Sequence, residues 1–62
     1  MCEFKATLDG KSVFDDVVYA KLEGDRVILR DVLGETREFK NCEIIEVDVN
    51  LTRLILSSKE AH

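Results

Sequence analysis

Apolar and polar residues alternate from the start of the chain. Cys2, Phe4, Ala6 and Leu8 interleave with Glu3, Lys5, Thr7 and Asp9. A period of two puts the two sets on opposite faces of extended backbone, so this stretch is predicted to be a strand, with Cys2 first on its apolar face. Asp9-Gly10-Lys11-Ser12 reads as a hairpin turn, because Gly adopts positive φ at low cost. Residues 12–16 are predicted to be a short strand or an irregular edge, since Asp15-Asp16 disfavours a central strand. Over 17–23 the pattern sets Val18, Ala20 and Leu22 on one face and Val17, Tyr19 and Lys21 on the other. Glu23-Gly24-Asp25 is the next turn. A strand over 26–32 follows, with Val27 and Leu29 opposite Arg26, Ile28 and Arg30.

Leu33-Gly34-Glu35 is a third turn, and 36–40 a weakly alternating strand anchored by Phe39. Asn41 interrupts. Residues 42–49 resume, with Ile45, Val47 and Val49 facing one way and Ile44, Glu46 and Asp48 the other. Asn50-Leu51-Thr52 is the last turn. Residues 53–57 form the last strand, whose Leu54-Ile55-Leu56 run implies cover on both faces. Residues 58–62 read as a fraying tail. A helix over 13–22 is the main rival, but the apolar positions do not keep a 3.6 period and Val17-Val18 lowers helix propensity. The chain is therefore expected to be all-β, with five or six short strands spaced about ten residues apart. A small SH3-like or Sm-like antiparallel barrel matches that count. Apolar residues on both faces of several strands would leave a wet apolar surface in so small a barrel, which points to a homodimer.

The length of 62 residues implies one domain, 1–62, and the 45% hydrophobic and 35% charged content implies a folded one. A domain near this size buries only about 60% of its unfolded surface, so a staple is expected: a disulfide, a metal or a second copy. The net charge of −4 weighs against binding nucleic acid through phosphates. No basic segment followed by an apolar stretch opens the chain, and the longest apolar run, 17–20, is far too short to span a membrane. The expected location is the cytoplasm, where two cysteines are thiols rather than a bridge.

Cys2 carries the strongest chemical signal. Loss of Met1, which a small second residue favours, frees an α-amine next to the Cys2 thiol. Amine nitrogen and thiolate sulfur then close a chelate ring, with a deprotonated backbone amide as a further planar donor. That N,S set suits nickel(II) or copper(II) rather than calcium or magnesium. One terminus does not fill a coordination sphere, whereas two meeting across a dimer axis do. The plain alternative is a small apolar side chain packed inward. Cys42 is read as that buried structural thiol, and no partner set completes a zinc site with it. His62 is the only histidine and ends the chain. Asp15, Asp16, Glu43, Glu46 and Asp48 read as a solvated acidic face. With no nucleophile–base set and no phosphate-binding glycine loop, no catalysis is expected. The alternative function is RNA binding by a basic face of Arg26, Arg30, Arg37 and Lys40, with Tyr19 or Phe39 stacking on bases.

Several short stretches, in order, resemble the CooT-like family of small nickel-binding proteins. They are Met1-Cys2-Glu3, Glu23-Gly24-Asp25, Asp31-Val32-Leu33-Gly34-Glu35, Ile45-Glu46-Val47-Asp48 and Leu54-Ile55-Leu56. The resemblance covers nearly the full length. It implies a small SH3-like barrel, a homodimer, nickel(II) bound through Cys2, and a part in supplying nickel to carbon monoxide dehydrogenase. Glu3 departs from at least part of that family by placing a charge beside the site.

Overall fold

A computed structural model describes residues 3–59. Six strands follow one another: β1 Phe4–Leu8, β2 Lys11–Glu23, β3 Arg26–Asp31, β4 Thr36–Lys40, β5 Cys42–Asp48 and β6 Arg53–Ser58. They form one sheet in the order β4-β3-β2-β1-β6-β5. The all-β expectation therefore holds, with six strands. Sequential hairpins build a meander from β1 to β4 and a hairpin from β5 and β6, all antiparallel. The two halves join through β1 and β6, which run parallel. The sheet is curled but not closed: among the described residues its edge strands β4 and β5 do not pair, so the expected barrel is an open sheet.

Local chemistry sets the turns. Asp9 and Gly10 have φ of 51° and 87°, and Leu8 pairs with Lys11. Two central residues with positive φ are what a two-residue hairpin turn requires, and Asp and Gly tolerate it best. Residues 12–16, expected as a separate edge piece, are continuous with 17–23 in the single long strand β2. Asp16 has φ of 57°, and the pairing register shifts around it. The strand bends there, leaving β1 as its partner in the first half and β3 in the second.

The bulges overturn two of the expected face assignments. A register shift between Val17 and Tyr19 sends Val17 into the core and leaves Val18 39% exposed. A second shift, between Ile44 and Glu46, packs Ile44 against the core and leaves Ile45 57% exposed. In each case one extra residue reverses the alternation beyond it. The concave face then holds Ala6, Val17, Val27, Leu29, Leu54 and Leu56, with Cys42 completing the cluster.

Candidate functional site

β1 enters the sheet with its first residues tied on both sides. Phe4 pairs with Val17, and the Lys5 N–H donates to the Thr52 carbonyl at 2.9 Å. The Thr52 N–H in turn donates to the Val49 carbonyl at 3.3 Å, so the β5–β6 turn clasps the start of β1. On the other flank the Val32 N–H donates to the Asp16 carbonyl at 3.0 Å, bringing the β3–β4 turn to the same end of the sheet. Cys2, the expected ligand, lies outside the described residues, as does His62. The backbone leading toward Cys2 is thus anchored by Phe4 and Lys5 between two turns.

Beside this anchored start lies an apolar groove of about 260 Å³. Phe4 and Leu54 line it from the middle of the sheet, Val18 and Tyr19 from β2, and Ile44 and Val47 from β5. The open sheet explains it: β2 and β5 do not meet here, so the concave face is reached from outside. The sequence pattern does not reveal the groove, because Val18 and Val47 line it only through the two bulges. The adjacent Val17-Val18 pair, which breaks clean alternation, was the available signal.

Cys42 is at the opposite end. It pairs with Ser58 at the far end of β6, roughly 20 Å along the strands from Phe4 at about 3.3 Å per residue. Its Sγ–H donates to the Lys40 carbonyl at 3.3 Å, and the residue is 4% exposed. Burial, and next to it the Asp9 carboxylate, push its thiol above the ordinary value of 9.0. A thiol so held is protonated at neutral pH and a poor ligand or nucleophile. The structural reading of Cys42 holds.

The acidic side chains do not assemble. Among the described residues no three His, Cys, Asp or Glu side chains gather in a metal-holding group. Asp48 instead accepts from the Leu51 N–H at 3.0 Å and organises its turn. The basic residues of the RNA alternative are divided. Arg37 pairs with the core residue Leu29, whereas Arg30 pairs with Thr36 and Arg26 with Lys40, so alternation puts Arg37 on the opposite face from Arg26 and Arg30. Arg37 lies 5.2 Å from the Phe14 ring centroid and Arg30 4.3 Å from that of Tyr19. Arg26 is bound by Glu23 at 2.7 Å and Glu38 at 2.6 Å. A continuous basic stripe is absent among these residues.

Comparison with known proteins agrees with the chain's order of motifs. Residues 1–57 match the family of CO dehydrogenase accessory protein CooT. The chain is also 32% identical over 56 residues to the uncharacterized protein MJ1551 of Methanocaldococcus jannaschii, covering 90% of this chain and 96% of that one. The chain belongs to the CooT family of CO dehydrogenase accessory proteins.

Proposed function

We propose that this protein is a non-enzymatic, cytoplasmic carrier of nickel(II) that works as a homodimer and serves the maturation of carbon monoxide dehydrogenase. The observation that carries the reading is a family match that begins at residue 1 and so includes the cysteine at position two. The donor set fits the cargo: with Met1 removed, the Cys2 amine and thiolate offer nitrogen and sulfur to a borderline metal. Two such termini together supply four or more donors, and one supplies too few. The anchored start of β1 supports this, because it limits where the two residues ahead of Phe4 can reach.

Nickel titration of protein whose mature mass shows Met1 removed is the direct test. About one nickel per two chains is expected, with a thiolate-to-nickel absorption band and protons released on binding. Cys2→Ser is expected to lose both band and binding, while Cys42→Ser keeps them if its circular dichroism shows it folded. Undiminished nickel affinity in Cys2→Ser would sink the reading. Loss of binding only in folded Cys42→Ser would show the other thiol to be the ligand.

A further inference from the structure

The two edge strands of the open sheet are guarded unequally. An unpaired edge is a template for another extended chain, and proteins blunt it with short length, lysine, proline or a charge turned toward the core face. β4 is blunted in this way. It is five residues long, its Arg37 shares the core-side face with Phe39 and reaches over the Phe14 ring, and Lys40 ends it. β5 has none of these devices. It is seven residues long and holds no lysine, arginine or proline. Its Ile45 and Val47 side chains are both more than half exposed.

The backbone of β5 is turned for pairing. Alternate N–H groups along a strand point to the same side. The Cys42 N–H points away from β6, to the Asp25 carbonyl on the β2–β3 turn at 3.1 Å. Alternation turns the Ile44 N–H to that same side, where no strand pairs with β5 among the described residues. This open side adjoins the apolar groove, lined by Ile44 and Val47 from β5 and by Val18 and Tyr19 from β2. A strand added along residues 43–47 gains backbone hydrogen bonds from the edge and a pocket for one of its apolar side chains, the two sources of affinity and specificity in strand addition.

Charge selects the occupant. From Asn41 to Thr52 the chain carries Glu43, Glu46 and Asp48 and no lysine or arginine, so this stretch supplies −3 of the net −4. Asp48 is engaged with its own turn. Glu43 and Glu46 make no ion pair among the described residues. Pairing of β5 with the β5 of a second copy brings carboxylates opposite carboxylates, which is destabilising. A nucleic acid is repelled by the same charges. We propose that β5 takes an added strand from a partner protein, an extended segment in which lysine or arginine alternates with apolar residues. Its cations face Glu43 and Glu46, and its apolar side chains lie toward Val47 and the groove. The site depends on neither nickel nor Cys2, so it stands or falls apart from the carrier reading.

Fluorescence anisotropy of the full chain with a labelled peptide alternating valine and lysine, of about six residues as in an ordinary strand, tests it. Binding is expected, weaker by about tenfold or more for the same peptide with glutamate in place of lysine or with N-methylated valines, which keep the charge but cannot pair. Val47→Lys places a lysine on the edge and is expected to lose binding, whereas Glu38→Lys on β4 is expected to keep it. Glu43→Lys with Glu46→Lys is expected to reverse the preference toward the glutamate peptide. The Ile44 amide is expected to exchange more slowly with the lysine peptide bound. Circular dichroism checks the folding of each variant, and the charge reversal decides the matter where Val47→Lys does not fold. Equal binding of the N-methylated peptide reduces the effect to charge alone and overturns the proposal. Absence of binding by wild type overturns it, as does loss of binding in Glu38→Lys alone.

Discussion

The two ends of this sheet are finished in opposite ways. At the end holding Cys42, polar groups close the structure. The Ser58 N–H donates to Asp9 Oδ1 at 3.1 Å, the Lys59 N–H to the Asn41 carbonyl at 2.6 Å, and the Cys42 N–H to the Asp25 carbonyl at 3.1 Å. Three turns and the end of β6 are thereby tied together over a buried thiol. At the end where β1 begins, hydrogen bonds hold the turns in place but leave aliphatic side chains pointing to water. One end closes its interactions within the chain, and the other keeps apolar side chains exposed among the described residues. The thiol at the first end, Cys42, is sealed and protonated at neutral pH.

Leucine at the two ends provides the sharpest contrast. Leu56 is 1% exposed and packs in the core, so Leu56→Ala is expected to cost about 2–5 kcal/mol of stability. Leu33→Ala, measured as monomer at low concentration, is expected to change stability by less than about 0.5 kcal/mol. Urea denaturation midpoints check both, and equal losses would erase the distinction between a closed end and an open one.

Backbone strain comes next in size. Thr52 has φ of 51°, in a region that costs a non-glycine residue about 1–2 kcal/mol. Thr52→Gly relieves that cost, and the greater freedom of glycine in the unfolded chain takes back part of the gain. A net stabilisation of roughly 0.5–1 kcal/mol is expected. A lower urea midpoint would mean that the Thr52 side chain contributes more at the open end than its backbone costs.

The smallest effect is one of pH. The folded Cys42 thiol ionises above the ordinary value of 9.0, because of burial first and Asp9 second. A raised folded pKa contributes stability that is complete below the unfolded value. That stability is lost as pH rises from the unfolded value through the folded one. Cys42→Ala is therefore expected to show a shallower alkaline loss of stability than wild type above about pH 9. An unchanged slope in thermal melts across that range would place the alkaline sensitivity elsewhere.

Much of this was legible in the chain. Period-two alternation marked β1, β3 and β5 most clearly, a continuous apolar run marked β6, and Asp9-Gly10, Gly24 and Gly34 marked the hairpin turns, because positive φ is a local demand that few residue types meet. Cys42 was legible as a core thiol from its place at a strand start. The bulges at Val18 and Ile45 were not, because an extra residue is inserted where the partner strands require a bend, and the partner is distant in sequence. For the same reason the division of Arg26 and Arg30 from Arg37 became visible only through the register of β3 and β4.

By itself the sequence determined an all-β chain of five or six strands and most turn positions, which depend on neighbours a few residues apart, and the order of short motifs along the chain that marks its family. The tertiary structure alone decided three further things. It left the sheet open, gathered the turns around Leu33 and Leu51 beside the start of β1, and made a groove from residues of β1, β2, β5 and β6. These depend on long-range pairing, above all the parallel β1–β6 contact between the first and last strands. No local pattern encodes that pairing, because its stability comes from burying both strands in a common core.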